Sequence, residues 1–243
     1  MDQETAKKIQ KSVKDFYEKY GAAFARTRGM NWAEENLIAE CIQANPLSSP
    51  LSGGGLTVVD VGAGNGRFAK LLPLDKGGGG ISYIGFEPSS TLRAAGARHA
   101  VPLREGGFPH VPIDDATADA TICLAVLHHL ATDADRQNAV VELLRITKPG
   151  GLIAASAWWV LPLTEGDSSP SPSSTRRGTD MWIPWRAEGA DAKRFVHVFN
   201  LEEWKSLWTH PQLEIERIGL FGKKDWTDDA QEARNFFMMG RKK

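Results

Sequence analysis

Val58-Val59-Asp60-Val61-Gly62-Ala63-Gly64-Asn65-Gly66-Arg67-Phe68 is the stretch on which the fold turns. Thr57, Val58 and Val59 read as a buried strand, closed by Asp60 and Val61. The glycines at 62, 64 and 66 then predict a tight turn that opens a helix at about Asn65. Glycine is needed where backbone adopts positive φ or lies directly against a ligand. Strand, glycine turn and helix together form a ligand crevice at the carboxyl end of a parallel sheet. A dinucleotide-binding turn has G-x-G-x-x-G spacing. Here the spacing is G-x-G-x-G, with an acid two residues before the first glycine.

Three further segments follow in order. Ile81-Ser82-Tyr83-Ile84-Gly85-Phe86-Glu87 reads as a second strand ending in an acid, and Pro88-Ser89-Ser90 opens a helix. An ionised carboxylate at such a strand end offers two acceptor oxygens and no donor, which suits a ribose diol. The run from Asp119 to Leu130 is continuously apolar up to His128-His129, as a central strand buried on both faces would be. Leu144-Arg145-Ile146-Thr147-Lys148-Pro149-Gly150-Gly151-Leu152-Ile153 reads as a helix end, a Pro-Gly-Gly turn and a fifth strand. These matches, over residues 56–157, resemble the class I S-adenosylmethionine-dependent methyltransferases.

The resemblance implies an α/β fold, a doubly wound Rossmann-like sheet of seven mostly parallel strands with a terminal antiparallel hairpin. It implies S-adenosyl-L-methionine as cofactor, held by the turn at Gly62, Gly64 and Gly66 and by Glu87 on the ribose. Leu124 ends the fourth strand between cofactor and acceptor. Asp60 either contacts the cofactor or holds the glycine turn through backbone hydrogen bonds. The segment Leu103–Phe108 lacks the Asp-Ala pair that contacts adenine in the family, so backbone amides at Gly107 and Phe108, or Glu105, take that place.

The 243 residues allow one domain with an added lobe. A net charge of −1 provides no global basic field, so a nucleic-acid acceptor would need a local patch. Cys41 and Cys123 lack zinc-ligand spacing and are expected as core thiols of a reducing, cytoplasmic compartment, with no metal site. No segment has the length and apolarity of a membrane span, and the polar start argues against a secretory signal.

Ile9, Val13, Phe16 and Tyr20 recur at helical spacing and predict a helix over residues 4–20, with a second from about Trp32 to Gln43. We expect an N-terminal helical cap over 1–45, the cofactor core over 56–157, an acceptor-side insertion over 158–212 and C-terminal strands over 213–243. Asp133–Thr147 and Leu201–Thr209 read as helices; Leu213–Leu220 and Phe236–Arg241 read as the last two strands. Pro46–Gly55, Lys76–Gly80 and the Ser/Pro-rich Glu165–Gly178 read as loops, the last expected to be disordered or mobile.

Three segments lie outside the cofactor motifs. They are Phe24-Ala25-Arg26-Thr27-Arg28-Gly29-Met30-Asn31-Trp32, Asp180-Met181-Trp182-Ile183-Pro184-Trp185 and Arg194-Phe195-Val196-His197-Val198-Phe199. With the His128-His129 pair, they resemble the tRNA wobble-uridine methyltransferases, which methylate a 5-carboxymethyl group and include the AlkB-homologue methyltransferase domain. Here Phe195 and Val196 stand where that family has tyrosines. The resemblance implies a tRNA partner, and a small zinc-binding activator protein that adds to the sheet edge. Near Ala100–Leu103 that edge is short and holds Pro102.

Methyl transfer from a sulfonium is an in-line displacement of an already activated donor, so alignment supplies most of the acceleration. A carboxylate acceptor is ionised at pH 7 and needs no general base. It needs orienting cations, and Arg28, His129, Arg194 and His197 are the candidates, His128 being an alternative to His129. Trp32, Asp180 and Trp185 are candidate acceptor contacts, because they belong to the outer motifs. Arg26, Arg28, Arg176, Arg177, Arg186, Lys193 and Arg194 are the expected phosphate-facing cations. Two other functions stay open: a small-molecule O- or C-methyltransferase, and a silent cofactor-binding scaffold.

Overall fold

Strand β1 (Thr57–Val61) lies between β2 (Ser82–Phe86) on one side and β4 (Ala118–Leu124) on the other, parallel to both. This is the point where the strand order reverses, and the chain leaves β1 there through its glycine turn. The computed structural model describes residues 1–27, 32–44, 55–74, 80–97, 102–159, 179–185 and 192–243. Strand β3 (Leu103–Arg104) adds two residues at the β2 edge, and β5 (Thr147–Trp158) continues the parallel sheet beyond β4. Strand β10 (Asn235–Lys242) then runs antiparallel between β5 and β8 (Leu213–Phe221). The seven expected strands are all present, and a two-residue eighth, β9 (Trp226–Thr227), closes the far edge beside β8.

Alternation along the strands feeds two apolar layers. Val59, Val61, Phe86 and Ile153 pack with Leu143 and Trp204 on one face; Val58, Ile122, Ala154 and Phe237 pack with Ile38, Ile42 and Phe68 on the other. Helix α4 (Asp133–Ile146) covers the first face. Its Thr132 accepts from the Asp135 N–H at 3.0 Å while Asp135 answers the Thr132 N–H, a reciprocal cap. Thr132→Ala is expected to lower stability by about 1 kcal/mol, read as a shifted urea midpoint at unchanged slope.

The first helix is longer than its apolar spacing predicts. It runs from Gln3 to Arg26 as α1. Gly21 interrupts the pattern in sequence, yet it lets α1 approach α3 (Ser90–Gly96), since a Cβ there would stand 3.1 Å from the Leu92 side chain. Glu18 fastens the two helices. Its carboxylate accepts from the backbone N–H groups of Ser90 (2.8 Å) and Thr91 (3.2 Å). Those bonds, Ser90's first, stabilise the ionised form and pull its pKa down to about 2.

The helix expected at Asn65 is a single 3₁₀ turn, Arg67–Leu71. Pro73 is the reason: the residue before a proline is driven out of the helical region, and Leu72 is extended. Helix α2 (Ala33–Ala44) holds the buried Glu34, which accepts from the side-chain amide of Asn235 in β10. Burial pushes Glu34 up to about 7. A raised acid favours the fold fully below its unfolded value and loses that contribution as pH rises through about 7. Glu34→Gln should therefore gain stability relative to the parent, by about 2 kcal/mol, between pH ~5 and ~8. A pH-independent difference between the two denaturation curves would discard this reading.

Strands β6 (Thr179–Trp185) and β7 (Ala192–Val198) form a separate antiparallel pair within the expected insertion. It leans on α1 through Phe195, which packs with Ala6, Ile9 and Ala131. Helix α5 (Leu201–Leu207) follows, with Trp204 and Trp208 fully buried. Arg28, and the loops expected at Pro46–Gly55, Lys76–Gly80 and Glu165–Gly178, lie wholly or largely outside the described residues. Cys123 is buried and Cys41 half-buried, both as free thiols. No described helix is long and apolar enough to cross a membrane, and the described residues hold no cluster able to bind a metal ion.

Candidate active site

The glycine turn opens on a cavity of about 500 Å³. Gly62, Gly64 and Gly66 have φ of +78°, +59° and +69°, the left-handed region that the sequence anticipates for them. The first two line the cavity; Gly66 sits behind, against Leu103. A Cβ on Gly64 would meet nothing within 4 Å, so its backbone lies bare to the cavity. Three residues further along, Arg67 bonds Glu35 at 2.7 Å and covers the Trp32 ring at 4.4 Å. Trp32 and Glu35 thus complete the wall beside the turn.

Glu87 lines the same cavity from the end of β2. One carboxylate oxygen accepts from the Ser89 N–H at 2.8 Å and the other from the Gly64 N–H at 3.0 Å. Each oxygen keeps a further lone pair. Burial pushes this acid up to about 7. Asp60 is also buried, accepts from the Tyr83 hydroxyl at 2.6 Å and is likewise pushed to about 7 by burial. A buried carboxylate with unspent acceptor capacity, beside bare glycine backbone, fits the ribose and amino-acid parts of S-adenosylmethionine. Gly107, Phe108 and Leu124 also line the cavity. Glu105 does not: it is exposed and pairs with Arg93 at 3.2 Å.

Opposite the turn, β4 ends in a strained connection. Ala125 has φ of +57°, and Val126 then packs over Gly62 while His129 reaches the cavity. Non-glycine residues in this region carry strain and concentrate at functional sites. His129, not His128, is the histidine on the cavity wall. Its Nδ1 lies 2.8 Å from the Phe195 carbonyl, which only accepts, so the proton sits on Nδ1. Its Nε2 therefore accepts from the Tyr17 hydroxyl at 2.9 Å. Burial, aided by the nearby Arg194, pushes His129 down to about 3. The expectation of a cationic His129 is thereby corrected to a neutral ring.

The remaining acceptor candidates stand back from the cavity. Arg194 is buried behind the wall, its guanidinium 4.4 Å from the Trp158 ring, 5.3 Å from Phe24 and 5.6 Å from Phe16. It donates to the Tyr17 hydroxyl at 3.3 Å and so bears on the cavity through Tyr17, Trp158 and Phe24, which line it. His197 bridges Asp180 (2.8 Å) and Glu203 (2.6 Å), tying β6, β7 and α5 together rather than facing the acceptor. Trp185 packs on Phe16 and Tyr20 of α1. Arg194, His197, Asp180 and Trp185 are thus corrected from acceptor contacts to a supporting layer. Sequence reasoning missed Tyr17 and Trp158, which do line the cavity. A hydroxyl-bearing aromatic beside Phe16, at the border of the apolar helix face, was the signal for Tyr17.

A family model described as a methyltransferase domain matches residues 59–155. A tRNA (carboxymethyluridine(34)-5-O)-methyltransferase of Arabidopsis thaliana is 28% identical over 148 residues, which are 61% of this chain and 33% of that protein. The chain thus spans about a third of that relative's length. A putative methyltransferase of Encephalitozoon cuniculi is 27% identical over 84% of this chain and 87% of its own length. Among solved structures, the complex between the Haloferax volcanii Trm112 methyltransferase activator and a putative methyltransferase aligns with a TM-score of 0.58. Its identity is 18%, over 95% of this chain and 97% of that one, a likeness of fold alone.

Proposed function

This chain is a class I S-adenosylmethionine-dependent methyltransferase, and on that premise we propose that its acceptor is a carboxylate, the 5-carboxymethyl group of a tRNA wobble uridine. The observation that carries the proposal is the state of His129. Both its nitrogens are engaged, and burial keeps it neutral. An amine or hydroxyl acceptor calls for a general base poised near the operating pH. A carboxylate arrives already ionised.

The cofactor, when bound, supplies an electrophilic methyl group on a sulfonium. Glu87 and the Gly62–Gly64 backbone hold its ribose and amino-acid ends. Tyr17 walls the acceptor end of the cavity with its ring. Its hydroxyl proton is committed to His129, and Arg194 donates to its oxygen, so the pair fixes the ring without neutralising the acceptor. Trp158 and Trp32 wall the cavity and exclude water from the transfer. A tRNA acceptor is supported by the activity of the Arabidopsis relative, and an activator partner is proposed by analogy with the Haloferax complex, in which a protein of the same fold accompanies a methyltransferase activator. The near-zero net charge favours a small-molecule carboxylate as the second reading.

The test is single-turnover transfer of labelled methyl to tRNA arrested at the carboxymethyl stage, followed by mild alkali. Label on RNA that alkali removes is the expected result. Absence of label on RNA, with the activator supplied and cofactor binding proven, would move the assignment to small-molecule carboxylates.

A further inference from the structure

We infer that Lys7, Lys11 and Lys14 of α1 form a phosphate-binding rim at the mouth of the cavity, taking the backbone phosphates of an RNA acceptor whose reactive carboxylate lies inside. The inference rests on the RNA reading above and adds the element that grips the polymer. All three lysines line the cavity and are themselves exposed, which puts them at its opening. Their spacing, four and then three residues, keeps them on one face of the helix. At about 1.5 Å per residue they cover about 10 Å of axis, enough for several phosphates of one strand at about 3.4 Å each.

An amphipathic helix carries charge on its wet face for solubility alone, so the sign pattern matters. The acids of α1 are already engaged: Glu4 pairs with Lys8 at 2.7 Å, Asp15 pairs with Lys11 of the rim itself at 2.6 Å, and Glu18 is spent on α3. None of those three acids lines the cavity. The cavity-lining polar residues of the first four turns are Lys7, Gln10, Lys11 and Lys14. Across the mouth, Asp135 is already held by the Gln10 amide at 3.2 Å and by its own helix cap. Lys7 and Lys14 have no ion pair among the described residues. On the cofactor side Glu35 is paired with Arg67, which leaves Asp60 and Glu87 as the acids lining the cavity there, while the three lysines stand at its opening. This rim supplies the local patch that a net charge of −1 demands. Arg194, expected in that role, is enclosed by aromatic rings.

The probes are a short RNA stem–loop with an unmodified loop uridine, and uridine monophosphate. Binding is measured between about 50 and 200 mM salt. The triple variant Lys7→Ala, Lys11→Ala, Lys14→Ala keeps a strong helix former at every position. Circular dichroism and cofactor affinity by calorimetry confirm that it is folded. We expect the log–log salt slope for the stem–loop to fall by about 2, at about 0.7 for each single-strand phosphate released. The triple Lys→Arg variant should retain the parental slope. Equal slopes and affinities in parent and alanine variant would overturn the rim. The wobble-uridine reading would survive that result, because it is judged by alkali-labile label. Uridine monophosphate bound as tightly as the stem–loop would overturn both, pointing to a phosphorylated small molecule. So would a parent protein, activator supplied, that ignores the stem–loop.

Discussion

Gly62→Ala is expected to lower stability by about 2–5 kcal/mol and to abolish measurable cofactor binding. Two penalties combine. A non-glycine residue at φ +78° costs about 1–2 kcal/mol. The new Cβ would also stand 2.3 Å from Val126 Cγ2. Forcing that contact apart costs about 1–3 kcal/mol in a packed site. Val126 cannot retreat freely, because it follows the strained Ala125 and sits over the turn itself. Gly64→Ala provides the contrast. It shares the left-handed backbone, but its Cβ meets nothing. Its stability loss should be only about 1–2 kcal/mol, while the methyl intrudes on the cavity and weakens cofactor binding at least tenfold. Chemical denaturation beside calorimetry separates the two effects. Equal stability losses at the two positions would refute the packing argument.

Glu87→Ala should weaken cofactor affinity at least 100-fold. In the proposed site the carboxylate accepts from a ribose diol, and each hydrogen bond to a charged group contributes about 1.5–3 kcal/mol. Substitution by glutamine should rescue little, since both oxygens already face N–H donors, from Ser89 and Gly64, and an amide nitrogen would set donor against donor. The same residue imposes a pH dependence. Burial raises it to about 7, so below that value it is largely protonated and its second acceptor oxygen is lost. The free protein loses stability from this group as pH rises through about 7. Cofactor that accepts only the ionised form gains affinity over the same interval and levels off above it. Isothermal titration between about pH 6 and 8 reads this directly; a flat profile would falsify the assignment.

The backbone of the glycine turn and the acid at the end of β2 were legible because their signals are local. Three glycines at alternate positions and an acid at a strand end leave few conformations open, and the backbone takes them. The acceptor half depends on pairs far apart in the chain. Tyr17 meets His129 across 112 residues, and Arg194 reaches Tyr17 across 177. Periodicity reports which face of a helix is apolar, not what packs on it. Arg194 and His197 were legible as important polar residues; their enclosure by rings and carboxylates was not. The lysines at the cavity opening did carry a local signal. Positions 7, 11 and 14 have the same helical spacing that exposed the apolar face through Ile9, Val13, Phe16 and Tyr20.

Strand β10 has a consequence for how the molecule is made. It lies between β5 and β8, so among the described residues β8 joins β5 and the parallel strands through a strand that follows it in the chain. During vectorial synthesis β8 leaves the ribosome before the strand that links it to β5 exists, an interval in which an unpaired strand edge invites association with other chains. Glu214, Glu216 and Arg217 stand exposed along that strand. Charges there are the expected gatekeepers of the waiting edge, guarding the nascent chain until residues 235–242 arrive.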